Sequence, residues 1–542
     1  MNNRFLLYFA LALVVFMIWT EWTNLHKPKE PVEDFIESPS KKNISERDFP
    51  EAVDPDPKPV ERFEKDKNRP KNERAIKISN EDLEVYISSR GGDIKKAVLL
   101  KHKESMDEGS PPISLLDTEK FYYVAQSGLA HDKDQDGRDV SGLAPNHYQD
   151  FRVVKVSQKQ AVLEWKNQGI TVSKVFSLNE DGYLLSVNHN VINNSNKMWT
   201  GRNYAQLKRT RGSGGSWAMP TFTGAAYYDG AYNKVSFDDI SDKRLNIKTQ
   251  GGWIAMMQHY FVSSWVLPEN QSIRIETRET EPAGQEKRYL IRSTSQSIGI
   301  APGQKFEFNS SIFIGPKLQS SLEKISPGLE LTVDYGALTF LAKPLFWLLD
   351  NFYLLVNNWG WAIILLTILI KLIFYKLSAT SYRSMARMKK FTPKIQSIRE
   401  RYSDDRQKMN QAMMEMYKEE KINPLGGCWP ILIQIPVFIA LYWVLLESVE
   451  MRHAPFIFWI NDLSSKDPYF VLPLIMGASM FLQQKLNPTP PDPIQAKVMQ
   501  MLPIIFTGFF AFFPSGLVLY WVVNNLLSIV QQWKIVKSIE AS

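Results

Sequence analysis

The sequence predicts a membrane protein of two unlike parts, a cluster of apolar helices and a large all-β domain that lies in water. Three observations carry that class. Five apolar stretches fall between about Phe352 and Trp533, each near the length that crosses a hydrocarbon core of roughly 30 Å. About 240 residues, Ile78 to Pro316, run in short alternating segments with the period of strands. The mean hydropathy of the 542-residue chain is still below zero, so much of it is solvated.

A sixth apolar stretch, Phe5 to about Trp22, opens the chain behind one basic residue, Arg4. Thr20-Glu21-Trp22-Thr23 lacks the small-x-small pattern of a cleaved signal, so residues 1–26 are expected to stay as a transmembrane anchor. Residues 27–77 are rich in Pro, Glu, Asp and Lys, too poor in large apolar side chains to fold alone, and read as a flexible linker. The β domain is expected over 78–333. Leu83, Val85 and Ile87, then Tyr183, Leu185, Val187, His189 and Val191, mark one buried strand face, with Gly91-Gly92 and Glu180-Asp181-Gly182 as turns. His189 reads as a strand residue rather than a catalyst, since no partner motif accompanies it. Gly212-Ser-Gly-Gly215 reads as a loop, because no Lys-Ser/Thr pair follows to make a phosphate site.

Residues 334–350, aromatic-rich and interrupted by Lys343 and Pro344, are expected to form an interfacial amphipathic helix. Residues 351–542 form the helical core, with spans at about 352–375, 429–446, 469–486, 498–513 and 517–533. The last two are joined by a tight Phe513-Pro514-Ser515-Gly516 turn. Loop charge sets orientation: Lys376 to Lys421 holds twelve Lys or Arg against six Asp or Glu, and Glu447 to Asp467 holds two against four. The first loop is therefore expected inside and the second outside, which puts both termini in the cytoplasm and exports the β domain. That layout suits a Gram-negative inner membrane with a periplasmic domain.

Within 376–424, Pro393–Tyr402 and Ser403–Lys421 read as a cytoplasmic helical hairpin broken at Ser403-Asp404-Asp405. Met385, Met388, Met409 and Met413, with Met414 and Met416, offer pliable apolar surface for a client or the ribosome, or else pack within the hairpin.

The spans carry no Asp or Glu, and one deep cation, Lys371, about twelve residues past Trp359 and so roughly 18 Å below the outer boundary. A lysine there can snorkel to head groups or serve a polar cavity. Thr367 lies one turn away, and Gln434, Gln483, Gln484, Asn524, Asn525, Ser528 and Gln531 fall at similar depth on other spans. Together they suggest a hydrated groove open to the cytoplasm; the competing reading is hydrogen-bonded glue between helices. The single cysteine, Cys428, and seven scattered histidines give no disulfide framework and no metal site. A net charge of +7 confined to particular loops fits topology rather than nucleic-acid binding, and no cofactor is expected.

Asn423-Pro-Leu-Gly-Gly-Cys-Trp-Pro-Ile-Leu-Ile-Gln-Ile-Pro-Val-Phe-Ile-Ala-Leu-Tyr442 resembles the third-span signature of the YidC membrane-protein insertases. Phe513-Pro-Ser-Gly-Leu-Val-Leu-Tyr-Trp-Val-Val-Asn-Asn525 is similar to their final hairpin, and the layout matches along the whole chain. The resemblance implies six transmembrane helices, a periplasmic β-supersandwich and a non-enzymatic insertase and chaperone. Its partners would be nascent membrane proteins, the Sec translocon, the ribosome and lipids. It implies a substrate groove of Thr367, Lys371, Gln434, Gln484, Trp521, Asn524 and Asn525, and a greasy slide of Pro436, Ile505, Phe506 and Phe510. The family usually has Arg where Thr367-Ile-Leu-Ile-Lys371 places Lys, so charge is kept and the bidentate fork is lost. Two other classes are weighed: a proton-coupled transporter, which needs intramembrane carboxylates or histidines absent here, and an envelope scaffold, which leaves the buried amides without a use.

Overall fold

The computed structural model describes residues 73–132, 143–212, 221–282, 285–402, 405–420, 429–487 and 493–540. The expected anchor, nearly all of the linker, Cys428 and the Ser213-Gly214-Gly215 segment lie outside these residues. The chain divides at Val333 into a β unit and a helical unit that begins at Asp334.

Among the described residues of the β unit, eighteen strands form one antiparallel network. Alternation produces it: in Ile170–Leu178 and in Leu184–Asn193 nearly every second side chain is buried, so one face of each strand joins the core and the other meets water. The 20-residue strand Phe261–Thr280 pairs at its start with Ser311–Pro316 and at its end with Arg288–Ser295, tying the layers of the sandwich together. Trp165, Phe176, Trp199, Trp265 and Phe308 fill the core between them. Gly182 has φ +82°, a left-handed turn open to glycine, and its amide donates to Asp82. The linker expectation overruns by a few residues. Ala75–Ser79 is already a strand, with Ile76 and Ile78 buried opposite Ile87 and Val85; Lys77 faces outward between them, so its charge masked the pattern.

Among the described residues, this unit also holds two short helices, α1 (Phe237–Asp242) between strands and α2 (Gln319–Ile325) after the last of them. The helical unit follows with α3 (Thr339–Val356), α4 (Trp359–Ile373), α5 (Tyr375–Lys390), α6 (Thr392–Arg401) and α7 (Arg406–Glu419). It ends with α8 (Trp429–Glu447), α9 (Val471–Leu486), α10 (Pro493–Phe510) and α11 (Ser515–Glu540). Helix α11 is the hub, packing on α9, α4 and α5, whereas α3 packs on α4 and α8 and α10 on α9.

The boundaries correct the sequence expectation in two places. The interfacial segment placed at 334–350 and the start of the span placed at 352 belong to one helix, because α3 runs through Pro344 to Val356. Its buried stripe is Ala342, Leu345, Phe346 and Leu349, yet its open face, with Phe340, Trp347, Leu354 and Leu355, is equally apolar. The break comes later: Asn357 adopts a left-handed conformation at φ +49°, and the Asn358 side chain caps α4 by accepting the Trp361 amide.

The described helices do not by themselves fix the number of full spans. Among the described residues, one helix, Gly336–Val356, is long and apolar enough to cross alone, and α4 with α5 passes jointly across a 67° bend. Ile433–Glu447 within α8 and Ala496–Phe510 within α10 are apolar too. A smooth hydropathy window overlooks the bend between α4 and α5, since it registers composition and not chain direction.

Candidate functional site

The polar side chains of the helical unit separate by helical geometry. On α11, Asn524 and Ser528, four apart, share one side of the helix, Asn525 and Gln532, seven apart, share the adjoining side, and Trp521 lies between the two. On the first face, Lys371 of α4 donates to Ser528 Oγ at 2.7 Å, and Ser528 donates to the Asn524 carbonyl at 2.7 Å. Gln434 of α8 reaches the Asn524 side-chain oxygen at 3.1 Å. One polar line therefore joins α4, α11 and α8. On the second face, Asn525 donates to Ser479 of α9 at 3.1 Å and Gln532 to Asn487 at 2.8 Å.

The two faces differ in access. Gln434, Asn524 and Trp521 are half-buried, but Asn525 and Gln532 are buried between helices. Asn525 thus acts as interhelical glue, the alternative weighed for all these amides, and does not join the Lys371 line. Thr367 is buried and donates to the Ile363 carbonyl of its own helix, lending α4 a polar surface without reaching a neighbour. Gln484 lies on α9 with a buried, unpartnered side-chain oxygen. Gln531 donates to the Tyr375 carbonyl at 3.1 Å and so holds α11 against the bend between α4 and α5.

Lys371 is 9% exposed. An ammonium has three donors, and one is engaged, on Ser528. No ion pair of Lys371 is formed among the described residues. Trp521 borders this line, and its buried indole N–H has no acceptor there. Its ring packs on Phe438 at 4.9 Å and on Phe510 at 5.6 Å, linking the polar line to an aromatic surface.

The expected slide is brought partly together. Pro436 and Ile505 are exposed and Phe506 is half-buried, whereas Phe510 is buried beneath Phe506, Phe509 and Phe513 and supports that surface from below. Phe509 and Ile504, which the sequence reading passed over, are open instead. The methionines of the hairpin also divide. Met413 and Met416 form its small core with Ile395 and Tyr417, and Met388 packs against it; Met385 and Met409 are half-buried, and Met414 is the exposed one. Asp405 caps α7, its side chain accepting from the Gln407 and Lys408 amides. Sequence reasoning missed Ser479 and Asn487, which the register of α11 alone pairs with Asn525 and Gln532.

The β unit holds a buried polar cluster of a different kind. Lys174, wholly buried, donates to the Gly91 carbonyl at 2.9 Å and to the Ser127 carbonyl at 2.8 Å. Burial lowers its ammonium to about 7, against the pull of the nearby Asp93. Asp93 is pushed up by burial and accepts from Gln126 at 2.6 Å. His189 is buried with both ring nitrogens unpartnered, and burial holds it well below the usual imidazole range. No metal-holding group of His, Cys, Asp and Glu occurs among the described residues.

Fold and site together define a helical membrane protein with an extensive polar line in its core and a β-sandwich domain attached. Residues 351–542 match the family described as 60Kd inner membrane protein, and residues 75–348 match the YidC periplasmic domain. The chain is 49% identical to the membrane protein insertase YidC of Thioalkalivibrio sulfidiphilus, covering 99% of each. It is 47% identical to that of Alkalilimnicola ehrlichii over 100% of this chain and 96% of the relative. A crystal structure titled as an active YidC insertase aligns at 16% identity and TM-score 0.38 over 85% of this chain and 92% of that one. The chain belongs to the YidC family of bacterial inner-membrane proteins.

Proposed function

We propose that this protein is a membrane protein insertase, without enzymatic chemistry, that takes nascent inner-membrane proteins into a groove along the Lys371–Ser528–Asn524–Gln434 line. The observation that carries this reading is Lys371 itself, a cation set among apolar helices with donors to spare and no resident anion among the described residues. A client's short polar flank entering from the cytoplasm keeps water or amide partners there and avoids several kcal/mol for each bare backbone group in hydrocarbon. Lys371 attracts acidic flanks, and the Pro436, Ile505 and Phe506 surface receives the apolar helix. Partition of that helix into lipid drives the step. Twenty apolar residues outweigh the roughly 2.5–3.5 kcal/mol of one charge at the bilayer centre, so no nucleotide is needed.

In this reading the protein has both termini inside and its β unit in the periplasm, and it works alone or beside the Sec translocon and the ribosome. The hairpin's open Met414 and half-buried Met385 and Met409 meet client or ribosome. The discriminating experiment removes most of 78–316 and measures insertion of a small client into vesicles. Retained insertion supports the reading; complete loss, with the shortened protein still folded in the membrane, favours an envelope scaffold.

A further inference from the structure

The connection between α8 and α9 is built more firmly than a linker requires. Asp462 accepts from the His453 amide at 3.0 Å, the Ser464 amide at 2.9 Å and the hydroxyls of Ser464 and Ser465, both at 2.7 Å. Asp467 accepts from Trp459 Nε1 at 2.9 Å and from the Leu472 amide in the first turn of α9 at 2.7 Å. The turn just ahead of them is closed by Phe456 N–H to the Ile460 carbonyl at 2.9 Å. It is fastened to the start of α4, where the Asn358 side chain donates to the carbonyls of Pro455 and Phe456, each at 3.2 Å. The Phe456 ring sits where a Cβ on Gly360 would lie, edge-on to Trp361 at 5.6 Å.

What this framework holds up is Phe458. Its backbone is left-handed, at φ +54°, a conformation bulky residues rarely adopt, and its side chain is 86% exposed, the most open of the large apolar residues described. Strain and an uncovered ring together are unfavourable in water, so the ring is shaped for an apolar neighbour. From Pro455 to Asn461 no side chain is ionisable. Exposed Trp361 of α4 lies against Phe456, exposed Tyr469 is held by the same Asp467 as Trp459, and α9 adds exposed Leu474 and Ile475, a mixture of interfacial aromatic and aliphatic groups.

We propose that the 456–459 turn is a lipid anchor, with Phe458 seated among the acyl chains just below the outer-leaflet head groups. The anchor fixes the depth at which α4 and α9 end. The turn carries no charge from Pro455 to Asn461 and adjoins apolar residues at the start of α4, which fits lipid better than a protein partner. This inference rests on the outward placement of the 448–470 loop proposed above.

The test places an environment-sensitive fluorophore on F458C, and separately on K466C in the same loop, in a Cys428→Ser background. The protein is reconstituted in vesicles of phosphatidylethanolamine and phosphatidylglycerol. The label at 458 should emit to the blue and be quenched several-fold more strongly by lipids carrying a shallow nitroxide than the label at 466. Equal, water-like signals at both sites overturn the anchor. So does a label at 458 that leaves water only when a second membrane protein is added. Modification of K466C by an impermeant thiol reagent in intact spheroplasts reports topology separately. If that reagent fails, the outward placement falls and the anchor with it; if it succeeds, the fluorescence alone decides. Phe458→Glu should restore a water-like signal at a label on Ile457 while leaving the protein's thermal aggregation unchanged.

Discussion

Lys174 in the β unit and Lys371 in the helical unit are both withdrawn from water, at 0% and 9% exposure, and differ in what their ammonium groups have left to give. Lys174 donates to two fixed backbone carbonyls and lies near a buried carboxylate. Two of its donors are thus held by fixed acceptors. Lys371 donates to one hydroxyl, which itself is bonded to a carbonyl of α11, and meets no ion-pair partner among the described residues. Burial alone therefore does not mark a functional lysine; spare donor capacity beside half-buried amides does.

The largest effect that would sharpen this contrast belongs to Lys174. Lys174→Ala leaves the Gly91 and Ser127 carbonyls unpaired in the core, and should lower the stability of the β unit by about 3 kcal/mol, at 1–3 kcal/mol per orphaned group. Urea denaturation followed by the β-sheet circular dichroism band checks it. Lys371→Ala in the same assay should leave that transition where it was.

Next comes selectivity. Lys371→Ala should reduce insertion of clients with acidic flanks roughly tenfold relative to neutral-flanked ones, the value of one charge-assisted hydrogen bond of about 1.5 kcal/mol. Lys371→Arg should keep the ratio, and Lys371→Glu should depress it further. Equal ratios in all variants would make Lys371 as structural as Lys174.

A pH profile separates the two lysines again. With the Lys174 ammonium lowered from 10.5 to about 7, the unfolded chain binds a proton that the folded chain does not across that interval. The resulting penalty is fully present below pH 7 and shrinks as pH rises toward 10.5, so stability should climb with pH at up to about 1.4 kcal/mol per unit. Lys174→Met should flatten that slope; an unchanged slope would mean the group is charged in the core. The smallest effect is expected from His189→Phe, which removes a buried imidazole without partners and should raise β-unit stability by about 1 kcal/mol.

The sequence made different things legible in the two regions. In the β unit, alternation exposed the strands directly, since Val187, His189 and Val191 must share a face whatever their partners are. The partners of Lys174 were invisible, because Gly91 and Ser127 lie 83 and 47 residues away and act through backbone atoms. In the helical unit, Lys371, Asn524 and Gln434 stood out against apolar neighbours and are indeed joined through α11. The division between Asn524 and Asn525 did not, although helical geometry sends consecutive residues to different faces; which face meets α8 and which meets α9 depends on the rotation of α11. The burial of Phe510 was hidden for a similar reason, since an aromatic run reads alike whether a ring lies on top of a surface or beneath it.

The most direct test is thiol labelling at adjacent positions of α11. In a Cys428→Ser background in native membranes, N524C should react with a small water-soluble maleimide from the cytoplasmic side, and N525C, turned toward Ser479, should remain protected. Protection at both, with each variant still folded and inserted, would mean that no hydrated groove follows the Lys371 line.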